Sequence, residues 1–363
     1  MNEPRSSDKT YPPKFASGMG STTRLALQTL GFLGGLALFG WCIKIALSPE
    51  NREQLAKLSQ ASPGQIAALL GLSAATLSLN GLMFWITLRP VQRIPIVDHL
   101  ATNALCTFLA FLPFKINVMT RAALNNRRDH VPLLTVGAWF GVLLVTMVAV
   151  YGPILGTSLW LHRVDSFWWI MSLGGTALAL GIIILFARPF AGPKGLTRLH
   201  RLFDKLPLPM VSNLARTRHF AQLHTGADML AAPGAVFVSG AMRTCDLLSM
   251  SLRFVVAGSI VGITFGWDEA ILAAAAYYII GMASPFGMLG TREAGTVYLA
   301  GALGLATGSG QSAQDVASSL MVLTLFITGT ESIVLLIGAA IGVLWLRPDK
   351  LFRANTISNE DQP

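Results

Sequence analysis

Charge is what this sequence has least of. Of its 363 residues only 12% are Asp, Glu, Lys or Arg, while 53% are hydrophobic. Soluble domains carry about 25% charged residues, so a water-soluble globular fold is excluded. Apolar runs of roughly 20 residues point instead to membrane-spanning helices. Cysteine is scarce: Cys42, Cys106 and Cys245, each in apolar surroundings. Their spacing fits neither a disulfide framework nor a zinc site, and buried free thiols are expected. The signatures of catalysis are missing as well. There is no Walker loop, no His-Glu-x-x-His, no paired-aspartate motif and no Gly-x-Ser-x-Gly. His162, His200, His219 and His224 lack metal-ligand spacing and are expected at the surface. No enzyme activity, cofactor or metal is therefore expected. Acidic residues are also outnumbered, 18 against 27 Lys and Arg, for a net charge of +9. The basic residues cluster beside apolar segments, which is the positive-inside pattern. That makes anionic lipid headgroups the expected partner and argues against nucleic acid.

What is present is a series of apolar segments. Residues 1–23 read as a polar, disordered cytoplasmic tail, 24–347 as one membrane domain, and 348–363 as a second cytoplasmic tail. About six full spans are expected, near 25–47, 65–88, 132–155, 166–187, 229–264 and 316–345. No small-residue cleavage site follows the first run, so it should remain as a helix. Residues 188–218 hold Arg188, Lys194, Arg198, Arg201, Lys205, Arg216 and Arg218 against the single acid Asp204. Leu196, Leu199, Leu202, Phe203 and Leu206 recur there at helical spacing, predicting an amphipathic helix on the cytoplasmic surface.

Two further apolar segments are broken by proline and share a pattern. One reads Pro113-Phe114-Lys115-Ile116-Asn117-Val118-Met119-Thr120-Arg121, the other Pro285-Phe286-Gly287-Met288-Leu289-Gly290-Thr291-Arg292-Glu293. Proline removes a backbone donor and breaks a helix. Arginine at membrane depth is costly unless it faces protein or water. Two such interruptions, one in each half, predict paired broken helices around a transport site. The first is flanked on both sides by basic residues, Arg89 and Arg93 before, Arg127 and Arg128 after. A re-entrant hairpin entering from the cytoplasm keeps both clusters on one side. The second follows the acidic turn Gly266–Glu269 and is predicted to enter from outside. Hairpins of opposite entry are the signature of an inverted repeat. Loop charge places both termini in the cytoplasm and the chain in the cell's inner, cytoplasmic membrane as a multi-pass protein. The fold class expected is thus an all-α polytopic membrane protein of about six spans plus two broken hairpins.

Few ionisable residues lie within the apolar segments. Arg243, Asp246 and Arg253 share a sector of about 80° on one helix and should face the protein interior. Glu331 lies mid-helix in the last span and needs a cationic partner. Together with Lys115, Arg121, Arg292 and Glu293 these groups are expected to converge on one polar cavity, where arginines hold an anionic phosphate. Ion pairing that merely holds broken helices together is the alternative. Gly287 and Gly290 permit a sharp bend and a close backbone approach.

The second motif resembles the Pro-x-x-Gly-Gly-x-Gly-x-Arg-Glu signature of the lysylphosphatidylglycerol synthase transmembrane-domain family. The first resembles that family's earlier Pro…Arg element, and the order of apolar segments fits from about residue 24 to 347. The resemblance implies a flippase-like membrane fold that moves a phospholipid or related lipid between leaflets. It implies site roles for Pro113, Arg121, Pro285, Gly287, Gly290, Arg292 and Glu293. Three departures stand out: Lys115 and Asn117 in place of a glycine and an acid, Met288-Leu289 ahead of Gly290, and Ala138-Trp139 in place of a Glu-Arg pair. No synthase domain follows in this sequence, so lipid aminoacylation is not expected. The leading expectation is a lipid translocator. A small-solute secondary transporter and a non-transporting scaffold for a lipid- or glycan-modifying enzyme are the alternatives. A homo-oligomer or such an enzyme is the protein partner left open.

Overall fold

The structure, a computed structural model, describes residues 21–112, 115–205, 215–284, 287–302 and 313–347. Among these residues it is all helix: α1 Ser21–Ala46, α2 Arg52–Ser59, α3 Pro63–Leu88, α4 Ile96–Leu109, α5 Ile116–Asp129, α6 Leu133–Leu161 and α7 Ser166–Ala187, then α8 Gly192–Asp204, α9 Arg218–Leu230, α10 Pro233–Val261, α11 Trp267–Ala283, α12 Thr291–Ala302 and α13 Ala313–Leu346. Five of these, α3, α6, α7, α10 and α13, are long and apolar enough to cross a membrane. The chain is an all-α polytopic membrane protein. Helix α1, at 26 residues, is a sixth long helix, and its described apolar stretch is Leu36–Ala46.

Local sequence explains the boundaries. Ser62 and Gln65 form a reciprocal capping box that starts α3, each satisfying a backbone donor that the first turn leaves free. Asp165 caps α7 by accepting from the Trp168 N–H at 2.8 Å. The span expected over 229–264, too long for one straight crossing, is the 29-residue helix α10, Pro233–Val261, with the end of α9 ahead of it. Leu230 ends α9, Ala232 is extended, and Pro233 opens α10 at its first position, where its missing N–H costs nothing. The basic amphipathic stretch forms α8, which turns back on α9 through a Phe203–Phe220 edge contact. Leu206 lies outside the described residues.

Both broken segments are helical hairpins. Helices α4 and α5 pack against each other, as do α11 and α12. Each of α4 and α5 has 14 residues, about 21 Å at the helical rise, too short for the roughly 30 Å hydrocarbon core. The two hairpins open toward opposite ends of the bundle. At one end Asp98 of α4 accepts from Trp345 at the end of α13 and pairs with Arg128 at the end of α5, at 2.8 and 2.7 Å. At the other end α2 meets the start of α13, Gln54 donating to Ser319 at 3.3 Å, and Gly262, beside the start of α11, sits near Lys57. The first end carries Arg89, Arg93, Arg127, Arg128, α8 and Arg347 with Asp98 and Asp129; the second carries Glu53, Asp165, Asp268 and Glu269 with Arg52, Lys57 and Arg163, so basic residues outnumber acids at the first end only.

The tips of the hairpins meet inside the bundle. The Lys115 ammonium donates to the Met282 carbonyl at the end of α11. Gly287 has φ +102°, and a Cβ there would lie 3.0 Å from the Phe111 carbonyl oxygen. Two hydrophobic cores flank this junction. One, toward the acidic end, is built on Tyr151, Trp168, Phe254 and Tyr277. The other, toward the basic end, is built on Met83, Leu88, Trp139 and Met229.

Candidate functional site

Lys115 sets the geometry of the first bend. It is the N-cap of α5 with φ 53° and ψ 35°, the left-handed conformation. A side chain there costs about 1–2 kcal/mol, so glycine would be relaxed in this place. Six residues on, Arg121 is 4% exposed. Its Nη2 donates to Asn103 Oδ1 of α4 at 2.5 Å, and its guanidinium lies 3.8 Å over the Phe84 ring of α3. Its Nη1 has no partner among the described residues. Neither Arg121 nor Lys115 forms an ion pair with a described carboxylate.

The second bend is organised differently. Arg292 Nε donates to Glu293 Oε1 at 3.0 Å, and Arg292 Nη1 reaches Glu331 Oε2 at 3.3 Å. The same Glu331 oxygen meets Arg253 Nη1 at 3.4 Å. Thr328 donates to Glu293 Oε1 at 2.5 Å and Tyr277 bonds to Thr328 at 2.7 Å. Arg292 also lies 4.4 Å over the Tyr277 ring and 5.0 Å over Phe111. Arg292, Glu293 and Arg253 are essentially fully buried. Two arginines and two carboxylates thus close into one neutral network, drawn from α10, α12 and α13, with Tyr277 from α11. Buried charges persist when paired in this way; Arg253 Nε, Arg292 Nη2 and Glu293 Oε2 have no partner among the described residues, so what sets this bend apart from the first is its carboxylates.

The charged residues line two adjoining cavities, which share Asn80, Thr107, Tyr278 and Met288 in their walls. A cavity of about 60 Å³ holds Arg253, Arg292 and Glu331. A much larger one, about 580 Å³, is lined by Lys115, Asn117, Arg121, Arg243, Tyr278 and Ser284 among its polar groups. Gly287 lines the larger cavity, whereas Glu293 and Gly290 line neither. Arg243 sits 4.9 Å over Tyr278 and is paired with Asp246, Nη1 to Oδ2, at 2.9 Å. Both members are buried on α10, three residues apart as the sequence spacing predicts. Pro113 and Pro285, which sequence singled out at the bends, lie outside the described residues.

The walls of the large cavity are apolar: Phe84, Phe140, Leu143, Leu144 and Met147 among others. Its rim reaches the outer surface between α5 and α6. Gly137 and Leu144 line the cavity and are exposed, and no atom lies within 4 Å of where a Cβ on Gly137 would stand.

Several contributors were not singled out from the sequence. Asn103, Phe84, Tyr277 and Tyr278 hold the arginines, and only the apolar-run context of an isolated Asn or Tyr could have flagged them. His99, also missed, is 1% exposed and stacks near Phe84 and Trp139. One expectation needs correction. Cys245 is exposed rather than buried: its apolar surroundings are the outer face of α10, where hydrocarbon takes the place of protein. His200 and His224 lie in helices α8 and α9 and bond to the Ala215 and Phe190 carbonyls at 2.8 and 2.6 Å. Among the described residues no cluster of His, Cys, Asp and Glu could hold a metal ion. No family model, curated protein or solved structure matches this chain.

Proposed function

We propose that the protein moves an anionic lipid across its membrane, with the headgroup in the large cavity and the acyl chains left in the bilayer. One observation carries this reading. A cavity of about 580 Å³, in the range of about 300–1,000 Å³ usual for small-molecule sites, combines cations at mid-bundle with apolar walls and a rim on the lipid-facing surface. A water-soluble solute has no use for a rim at Gly137 and Leu144. An amphiphile does, because its chains can stay in hydrocarbon while its head enters. The opposite entry of the two hairpins supports alternating exposure of the cavity by rearrangement of the two halves. Basic residues concentrated at one bundle end support placing that end in the cytoplasm, and with it both termini. The motif resemblance to the lysylphosphatidylglycerol synthase transmembrane-domain family points the same way. The test is translocation of a fluorescent anionic lipid in proteoliposomes. Gly137→Phe should place a ring in the rim without a clash and slow translocation about tenfold, while an aqueous solute assay would be untouched. Unchanged lipid translocation in Gly137→Phe would remove the lateral-entry route.

A further inference from the structure

The two bends carry different charge, and the difference selects a class of headgroup. We infer that the large cavity is built for a dianionic phosphate monoester headgroup in preference to a monoanionic phosphodiester; this rests on the lipid-translocator reading above. Three cationic side chains line the cavity, Lys115, Arg121 and Arg243. Arg243 is compensated by Asp246 at 2.9 Å. Lys115 and Arg121 have no carboxylate partner among the described residues, so two positive charges face the cavity uncancelled.

Isolated buried charge is expensive. Arg121, at 4% exposure, is nonetheless held in place by Asn103 and the Phe84 face, with Nη1 left without a partner. Lys115 keeps its side chain in a left-handed backbone position where glycine would be relaxed. Only one of its bonds, to Met282, is accounted for, and an ammonium has three N–H donors. Helix α5 begins at the cavity, where Lys115, Asn117 and Val118 line it, adding the positive end of its dipole. A phosphate monoester carries a charge of about −1.5 to −2 at neutral pH and three terminal oxygens. It can therefore cancel both cations and accept from both at once. A diester, with one charge and two free oxygens, leaves one cation uncompensated in a low-dielectric setting where each charge counts heavily.

The experiment is native mass spectrometry of the full chain in detergent, offered equimolar dioleoyl phosphatidic acid and dioleoyl phosphatidylglycerol, with inorganic phosphate as competitor. The acyl chains are identical, so the occupancy ratio reads the headgroup. The wild type should favour phosphatidic acid by about tenfold, an extra ion pair's worth. Lys115→Gln and Arg121→Gln, which each keep a hydrogen-bond donor, should each bring the ratio near one. Lipid held at the basic end contributes equally to all three proteins and drops out of the comparison. Equal occupancy by the two lipids in the wild type, with both lowered in Arg121→Gln, overturns the monoester preference and leaves the translocator reading standing. Occupancy indifferent to both substitutions overturns that reading as well. Displacement of either lipid by equimolar inorganic phosphate would make free phosphate the ligand and overturn the amphiphile assignment. Thermal unfolding of each variant, compared with wild type, identifies a loss that comes from misfolding; Lys115→Gln, at a part-exposed side chain, is the variant on which the ratio then rests.

Discussion

The two bends share a sequence pattern and differ in how their arginines are satisfied. Arg292 in the second is enclosed by Glu293, Glu331, Tyr277 and Phe111, and its charge is cancelled within the protein. Arg121 in the first has an amide, an aromatic face and no described carboxylate. The same residue type at the same place in the same pattern thus becomes a structural clamp in one copy and a charge facing a cavity in the other. The motif with Gly290, Arg292 and Glu293 forms the paired network. The motif with Lys115 lines the large cavity.

Stability measurements should separate the clamp from the cavity. Glu331→Gln takes away the carboxylate shared by Arg253 and Arg292 and should cost about 3–5 kcal/mol, because it strands buried charge; thermal unfolding in detergent reads it. A loss below about 1 kcal/mol would mean that the network is not a clamp. Next in size, Gly287→Ala should cost about 1–3 kcal/mol, from a left-handed φ and a contact 3.0 Å from the Phe111 carbonyl. That would show that the close meeting of the two tips is required by the fold. Arg121→Gln should change stability by less than about 1 kcal/mol, since it removes a charge with no ion-pair partner, yet abolish lipid translocation. A large destabilisation with translocation intact would make the first bend a clamp like the second.

The smallest effect lies at the mouth of the first hairpin. Burial lifts the Asp129 carboxyl to about 6, with Asp98 adding to the rise and Arg128 and His130 opposing it. Its position at the C-terminal end of α5 is also unfavourable for an anion. Raised above its unfolded value, this group contributes stability that is complete below about pH 4 and lost as pH rises through about 6. Asp129→Asn should flatten that slope and add about 1 kcal/mol at neutral pH, after allowing for solvent screening. An unchanged pH profile of unfolding would show that the hairpin end is open to solvent.

Much of the architecture was legible in the residues. Long apolar runs predicted the spanning helices, and basic flanks on both sides of His99–Thr120 predicted a hairpin. The spacing of Arg243 and Asp246 predicted their pair. The start of the fifth span was placed four residues early, at 229 instead of Pro233, because an apolar run continues through a proline that merely starts a new helix. The partners of Glu331 were not legible, because it lies 39 positions from Arg292 and 78 from Arg253 in sequence, so nothing local says which arginine it will meet.

Composition and periodicity by themselves determined that this chain lives in a membrane, that its helices are apolar, and that two of its segments break. These follow from transfer energies and backbone donors, which act residue by residue. Only the tertiary structure decided which broken segment cancels its own charge and which presents it. That choice depends on where α10, α11 and α13 bring Arg253, Tyr277 and Glu331, and pairing across a bundle is a property of packing rather than of any stretch of sequence.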